Sequence, residues 1–145
     1  MPTCDQVVEL AVNLDDVTPQ VVGHVQTQLL DAGALDCWTG SIFMKKQRPG
    51  VCLSLLCKPE DAQSLAELVL TLTGSFGVRQ RTWDRLILDR HHETVDTRYG
   101  TLRIKVGRLD GRVLVRQPEY EDAKALAEQH NVAIRQVLAA AQEAL

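Results

Sequence analysis

The chain has 145 residues, a mass of 16.1 kDa and a net charge of −3, and 45% of its residues are hydrophobic. These values are ordinary for a soluble globular domain that can bury a core of its own. No stretch approaches the roughly 20 apolar residues that a membrane-spanning helix needs, and the N-terminus has no signal-peptide pattern, so we expect a cytoplasmic protein without a membrane partner.

The first half of the chain alternates strand and helix patterns. Apolar residues at every second position from Val8 to Leu14 predict a strand with one apolar face. Thr18 as N-cap and Pro19 at the first helical position begin a helix that ends at Gly33. The next patterns predict two strands, a helix and a longer extended run, over residues 34–43, 51–58, 59–72 and 78–90.

The second half predicts shorter elements. Two extended runs meet at an Asp110-Gly111 turn and indicate a β-hairpin, and two helices follow it. These elements cover residues 101–108, 112–116, 119–130 and 133–145.

The order β-α-β-β-α-β over residues 6–90 is that of a ferredoxin-like unit. We therefore predict an α+β fold, a ferredoxin-like βαββαβ unit with an appended β-hairpin and two C-terminal helices. Residues 1–92 are expected to form the ferredoxin-like unit, and residues 93–145 to pack with it as one compact domain. This fold has many functions, so it decides nothing about chemistry.

The four cysteines indicate a reducing environment. No two of them form a C-x-x-C pair, and we expect reduced, buried thiols at Cys4, Cys37, Cys52 and Cys57. Cys52 and Cys57 are an odd number of positions apart, so they should lie on opposite faces of one strand.

The segment Asn13 to Asp16 places an amide and two adjacent carboxylates between the first strand and the first helix. Divalent cations of the Mg²⁺ type bind such oxygen ligands. The same acids could instead stabilise the helix through their interaction with its positive N-terminal end, which contributes about 0.3–1 kcal/mol of stability. Side chains that are neighbours on an extended backbone point apart, so Asp15 and Asp16 reach one ion only if the chain turns here. By itself the spacing favours the electrostatic interpretation.

The segment Met44 to Gly50 supplies the opposite charge, with Lys45, Lys46 and Arg48 in four consecutive positions. Such a run is often a solvated hairpin tip. Three cations this close also suit a triphosphate, for which lysine is a point charge and arginine a two-pronged donor. The loop lacks the G-x-x-x-x-G-K-[ST] pattern, so a nucleotide site here is not a P-loop. We expect phosphate binding.

Charge is unevenly distributed along the chain. Residues 1–43 contain six acidic residues and no Lys or Arg, whereas residues 79–116 contain ten Lys or Arg and five acidic residues. The two parts could pair within the fold or between subunits, or the basic part could hold a polyanion.

Seven segments occur in the order and spacing of one protein family. They are NLDDVTP at 13–19, GALD at 33–36, MKKQRPG at 44–50, FGVR at 76–79, LDR at 88–90, YG at 99–100 and PEYED at 118–122. On these segments the chain resembles, over essentially its whole length, the C-terminal domain of the nickel insertion proteins that complete the nickel-pincer nucleotide cofactor, the LarC family.

The resemblance implies a CTP-dependent cyclometallase. Family members insert nickel into pyridinium-3,5-bisthiocarboxylic acid mononucleotide and use CTP with Mg²⁺ or Mn²⁺, and their C-terminal domain is ferredoxin-like, CTP-binding and homo-oligomeric. They are longer, with an N-terminal domain and a His-rich segment that would be partners of this domain. Whether this chain inserts nickel unaided is therefore open. Val17 and Gln47 stand where the family usually has Met and Asn.

The resemblance also implies site residues, although no catalytic residue is assigned. It favours the metal interpretation of the acidic segment, and the expected metal ligands are Asp15, Asp16, Glu121 and Asp122. Phosphates, ribose and base would be held by Lys45, Lys46, Arg48, Arg79, Arg90, Glu119 and Tyr120. The acidic residues within 119–122 are explained equally well by a favourable interaction with the positive N-terminal end of the helix that follows.

Two other functions fit parts of the sequence. The chain could be a non-catalytic oligomerisation module of the larger enzyme. Residues 125–137 have a helix–turn–helix cadence, with Asn131 in the turn and Val132 and Val137 inward. Arg135 is the only Lys or Arg of the second helix and residues 117–145 are net negative, so nucleic-acid binding is the weaker hypothesis.

Overall fold

The computed structural model describes residues 3–145, which contain seven strands and four α-helices. The strands are β1 (Thr3–Leu14), β2 (Asp36–Phe43), β3 (Pro49–Cys57), β4 (Arg79–Ile87), β5 (Asp89–Thr97), β6 (Gly100–Leu109) and β7 (Arg112–Pro118). The helices are α1 (Pro19–Asp31), α2 (Ala62–Thr73), α3 (Tyr120–His130) and α4 (Ile134–Glu143). No helix in the described range is long and apolar enough to cross a membrane.

The chain forms two compact units, Cys4–Arg85 and Leu86–Leu145. The expected boundary at residue 92, and the packing of the two parts as one domain, remain predictions.

The first unit contains a four-stranded sheet in the order β2-β3-β1-β4, with α1 and α2 packed on one face. The pairs β1–β3 and β2–β3 are antiparallel, and the register places Asn13 opposite Cys52 and Ala11 opposite Ser54. This strand order confirms the predicted ferredoxin-like unit.

The alternation along β1 separates its two faces. Val8, Leu10, Val12 and Leu14 are at most 4% exposed and pack against both helices and β3. Burying one such side chain stabilises the fold by about 1.5–3 kcal/mol. The intervening residues Glu9, Ala11 and Asn13 therefore lie on the opposite face of the sheet.

The second unit contains an antiparallel sheet in the order β5-β6-β7, with α3 and α4. Its core joins Leu102 of β6 to Ala123 and Ala127 of α3 and to Val137 and Ala141 of α4. The small alanine side chains allow the two helices to approach each other closely. The inward position predicted for Val137 is confirmed.

Three predictions need correction. The extended run at 78–90 is two strands, because β4 ends at Ile87 and β5 begins at Asp89. The appended hairpin is therefore part of a three-stranded meander, in which β5 pairs with β6 along its whole length. The run at 78–90 was predicted as one strand because strand periodicity does not reveal a short break at Leu88.

The prediction of four buried cysteines is also corrected. Of the four free cysteines, Cys57 alone is buried, and Cys4 is exposed.

Candidate functional site

The acidic segment lies where β1 ends and α1 begins. The hydroxyl of Thr18 accepts a hydrogen bond from the backbone N–H of Val21 at 3.4 Å, and Pro19 fills the first helical position. This cap confirms the predicted start of α1, and the chain bends through Asp15 and Asp16 just before it. Asp16 is exposed, whereas only 18% of the Asp15 side chain is accessible. Asp15 is thus the acid that turns inward.

The basic loop lies against the end of β1. A Cβ atom on Gly50 would be 2.8 Å from the carbonyl oxygen of Leu14, so glycine permits this close approach. The loop is closed by a hydrogen bond from the Met44 N–H to the Arg48 carbonyl at 2.8 Å. Lys46 and Gln47 have φ values of 59° and 60°, in the left-handed region that side chains other than Gly and Asn rarely adopt.

The loop and the acidic segment meet through one ion pair. Arg48 Nη2 lies 2.9 Å from Asp15 Oδ2, and 62% of the Arg48 side chain remains exposed. Asp15 Oδ2 is buried, and no hydrogen bond accompanies this ion pair. Lys45 and Lys46 are exposed, and neither has an ion pair within residues 3–145.

Arg79 joins the same end of the sheet from β4. Its Nη2 donates to the Asn13 side-chain carbonyl at 2.8 Å and contacts Cys52 Sγ at 3.7 Å. Cys52 therefore lies on the face of the sheet opposite to that of buried Cys57, as predicted. Asn13, Arg79, Asp15 and the basic loop together form the polar end of the first unit.

The polar end of the first unit has some of the features of a metal site. Within the described part of the chain, no three His, Cys, Asp or Glu side chains are close enough to hold an ion as a cluster. The buried Oδ2 of Asp15 faces the Arg48 guanidinium and accepts no hydrogen bond within the described residues. Mg²⁺ and Mn²⁺ bound with a nucleotide commonly take one or two carboxylates and complete their shells with phosphate oxygens and water. The residues fit an ion of that type.

The acids of residues 119–122 belong to the second unit. Asp122 accepts three hydrogen bonds from Arg103, from its backbone N–H at 2.9 Å and from Nε and Nη2 at 2.9 and 2.8 Å. These bonds lower the pKa of Asp122 from 3.8 to about 2. Glu119 Oε1 lies 2.9 Å from His92 Nε2 and 3.1 Å from Lys105 Nζ, and these contacts lower its pKa.

The other predicted residues of the second unit are exposed. Tyr120 is 60% accessible and borders two shallow grooves beside α3 and α4. Glu121 is exposed in the first turn of α3, and Arg90 is exposed on β5 opposite Gly107. The metal and nucleotide roles of these residues remain predictions.

Three residues on the open face of the first sheet were missed by the sequence analysis. Trp83 Nε1 donates to Glu9 Oε2 at 2.8 Å, and the Arg81 guanidinium lies 3.8 Å over the indole ring. The alternation of residues along the two strands could have identified these residues as neighbours on one face. Glu9, Ala11 and Asn13 alternate on β1, and Arg79, Arg81 and Trp83 alternate on β4, so each set lies on one face.

A family model described as nickel insertion protein matches residues 2–138. The chain belongs to this family. A putative nickel insertion protein of Gloeobacter violaceus is 45% identical over 120 residues, which are 83% of this chain and 28% of that protein. The pyridinium-3,5-bisthiocarboxylic acid mononucleotide nickel insertion protein of Lactiplantibacillus plantarum is 41% identical over 139 residues, 96% of this chain and 33% of that protein. The chain thus spans about a third of the length of these relatives.

Two solved structures share the fold of this chain. LarC2, the C-terminal domain of a cyclometallase involved in synthesis of the NPN cofactor of lactate racemase, matches with a TM-score of 0.92 and 41% identity over 98% of both chains. A protein of Methanopyrus kandleri matches with a TM-score of 0.71 and 25% identity over 94% of this chain and 86% of that chain. The predicted family and fold class are confirmed.

In this nickel insertion family member, the residues predicted from sequence form two groups. Asp15, Arg48 and Arg79 lie at the polar end of the first unit, with Lys45 and Lys46 in the adjoining loop. Glu119 and Asp122 are engaged by basic residues of the second unit. The first group offers exposed cations and a buried carboxylate oxygen, and the second offers acids that already have partners.

Proposed function

We propose that this chain is the CTP-binding domain of a CTP-dependent nickel insertion enzyme that acts on pyridinium-3,5-bisthiocarboxylic acid mononucleotide. The observation that carries the proposal is the contact between Arg48 and Asp15, because it places a cluster of cations beside a buried carboxylate oxygen that accepts no hydrogen bond. A nucleoside triphosphate accompanied by a divalent ion needs both features. Nickel is the inserted substrate metal.

Phosphate binding is assigned to the basic loop. Lys45 and Lys46 are exposed and carry charge that no carboxylate of the described residues neutralises, so they are available to an anion. Arg48 adds a planar donor with which it can bind two phosphate oxygens at once. The left-handed backbone at Lys46 and Gln47 costs about 1–3 kcal/mol per residue, and strain of this kind is concentrated at ligand sites.

Cation binding is assigned to Asp15, together with phosphate oxygens and water. Mg²⁺ or Mn²⁺ held there would supply charge neutralisation to the triphosphate. The lysines and Arg48 would stabilise the charge that develops on the phosphate oxygens as a phosphate bond breaks.

The test is calorimetric titration of the chain with CTP in the presence of Mn²⁺. We expect wild-type protein to bind CTP, and Lys46→Ala and Arg48→Ala to weaken binding at least about tenfold each, as expected for loss of a charged hydrogen bond. Lys58→Ala is the matched control, because Lys58 is exposed and follows the other end of β3. Absence of CTP binding, or equal affinities in all four proteins, would contradict the proposal.

A hydrolysis assay separates binding from catalysis. If the chain binds CTP with the expected dependence on Lys46 and Arg48 but does not cleave it, turnover depends on further parts of the larger enzyme. Light scattering in the same buffers measures the expected homo-oligomer. A chain that oligomerises and does not bind CTP would instead be the oligomerisation module.

A further inference from the structure

We propose that four side chains of the second unit form a binding site for a phosphate monoester, which a pyridinium mononucleotide supplies. They are His91, Glu93, Arg108 and Arg116, and we call them the arginine cluster. The choice of a mononucleotide rests on the proposed function, whereas the phosphate site rests on contacts within this unit alone. None of the four residues lies in the seven family segments of the sequence or at the polar end of the first unit.

The pairing of β5, β6 and β7 brings the arginine cluster to one face of the sheet. Glu93 lies opposite Ile104 on β6. His91 of β5 and Arg116 of β7 both lie opposite Val106. Residues opposite each other in an antiparallel pair have their side chains on the same face. Because Ile104 and Val106 are fully buried, the cluster borders the apolar face of the sheet and not its open face.

Glu93 is at the centre of the arginine cluster. Its Oε1 lies 2.9 Å from His91 Nε2 and 3.7 Å from Arg108 Nη2. Its Oε2 lies 3.8 Å from Arg116 Nη2. The histidine contact is a hydrogen bond, whereas both arginine contacts are longer than a hydrogen bond. Two guanidinium groups are thus within reach of one small anion, and the carboxylate between them does not use their N–H donors.

The unused donors of the two arginines indicate a ligand. Arg108 Nε is buried without a hydrogen-bond partner, and within residues 3–145 no hydrogen bond joins the Arg108 or Arg116 guanidinium to an acceptor. A buried donor that lacks an acceptor is costly, so an acceptor is expected at this position. Arg103 of the same sheet provides the contrast, because its backbone N–H and two guanidinium N–H groups donate to Asp122.

A phosphate monoester matches these donors. It has three acceptor oxygens on a tetrahedral centre and about −1.5 to −2 charges at pH 7. Arg108 and Arg116 can each donate to two of these oxygens, whereas one carboxylate has only two oxygens to share between them. Asp89, opposite Arg108, is a second acid at this end of the sheet, so recognition depends on donor geometry more than on an excess of positive charge. The four side chains of the cluster are 38–42% accessible, so a ligand can reach them from solvent.

The test is calorimetric titration of the 145-residue chain with nicotinamide mononucleotide, a pyridinium mononucleotide that carries one phosphate monoester. Nicotinamide riboside, which lacks the phosphate, is the matched control ligand. We expect the mononucleotide to bind at least about tenfold more tightly than the riboside, and Arg108→Ala and Arg116→Ala each to remove most of this difference. Arg98→Ala removes the same charge from the turn at the opposite end of the sheet and should leave the affinity unchanged.

Glu93→Gln should change the affinity in the opposite direction. It removes the negative charge that competes with phosphate for the arginines and keeps an acceptor oxygen for His91, so the mononucleotide should bind about threefold more tightly or better. An ion-pair cluster that only stabilises the fold would not show this gain. The melting temperature checks that each variant folds. If Arg108→Ala does not fold, Arg108→Lys replaces it, because lysine keeps the charge and loses the two-pronged donor.

Titrations with inorganic phosphate and with CTP and Mn²⁺ complete the test. Inorganic phosphate that binds as tightly as the mononucleotide, with the same dependence on the arginines, supports the site and makes free phosphate its ligand. If the mononucleotide and the riboside bind equally, if neither binds, or if the variants of Glu93, Arg108 and Arg116 leave the affinity unchanged, the site is overturned. CTP binding that depends on Lys46 would then still support the proposed function. If the mononucleotide binds as expected and CTP does not, the phosphate site stands and the proposed CTP-binding function is overturned.

Discussion

Arg48 Nη2 lies 2.9 Å from Asp15 Oδ2, which couples the basic loop to the end of β1. Most of the arginine side chain is exposed, so the ion pair contributes at most about 1 kcal/mol to stability. The ion pair has a larger effect on the binding of ligands. A carboxylate that faces a guanidinium is less attractive to a divalent cation, and a guanidinium held by a carboxylate is less available to a phosphate.

Arg48→Gln should therefore have opposite effects on the two ligands. Without nucleotide, Mn²⁺ should bind about fivefold more tightly, because the competing positive charge beside Asp15 is gone. CTP should bind more weakly, because a phosphate donor is lost. Electron paramagnetic resonance of free Mn²⁺ measures the first effect and calorimetry the second. Lys58→Gln is the charge-matched control, and a decrease or no change in Mn²⁺ affinity in Arg48→Gln would contradict the role of Asp15.

Gly50→Ala should disturb the junction between the loop and β1. The added Cβ would be 2.8 Å from the Leu14 carbonyl oxygen, a backbone atom that cannot move without shifting β1. We expect the free energy of unfolding in urea to fall by about 1–3 kcal/mol. Gly40 of β2 lies opposite Cys52 and has nothing within 4 Å of the corresponding position. Gly40→Ala should leave stability unchanged or raise it by up to about 1 kcal/mol, and equal losses in both variants would contradict the close-contact argument.

The sequence predicted the parts of this site that depend on local chemistry. Thr18 and Pro19 determine the start of α1 through their own backbone and side-chain preferences, and the structure has the cap where the sequence placed it. The four-stranded sheet followed from the alternation in β1 and from the order of elements. Each of these patterns is set by residues that are close in sequence, so contacts between distant parts of the chain did not alter the predicted elements.

The missed contacts depend on pairing across long stretches of chain. Arg79 reaches Asn13 across 66 positions and Trp83 reaches Glu9 across 74, and both contacts require β4 to lie beside β1 in one particular register. A shift by one residue would place these side chains on the other face. The turn at Gln47 was missed for a different reason. Glutamine is not a residue that favours positive φ, so nothing local indicated it.

Gln47→Asn should stabilise the chain. Gln47 has a φ of 60°, and asparagine adopts this region at lower cost than longer side chains. We expect the free energy of unfolding to rise by about 0.5 kcal/mol, with CTP affinity retained, because the loop conformation is unchanged. Gln129→Asn is the control, since this exposed position lies within α3, where asparagine has the lower helix propensity and should destabilise slightly. A loss of stability in Gln47→Asn would indicate that the glutamine side chain itself holds the loop.

Asp122→Asn should reveal a pH-dependent contribution from the bonds to Arg103. Asp122 has a lowered pKa in the folded state, about 2 instead of 3.8, because the Arg103 side chain and backbone donate to its ionised form. The stabilisation is therefore complete above pH 5 and is lost as the pH falls from about 4 to 2. Since both side chains are partly exposed, we expect Asp122→Asn to lower the free energy of unfolding by about 1 kcal/mol at pH 7 and to differ little from wild type near pH 2.

Glu121→Gln is the matched control for this pH dependence. Glu121 lies in the same first turn of α3 and is exposed, so its replacement removes the same charge from the helix N-terminus without touching Arg103. If the acids of residues 119–122 acted only on the helix dipole, the two variants would lose similar stability with similar pH profiles. Urea denaturation of both variants at pH 7, 4 and 2.5 decides between these explanations. A larger loss at pH 7 in Asp122→Asn, shrinking with acidification, assigns the effect to the hydrogen bonds with Arg103, and equal curves would contradict that assignment.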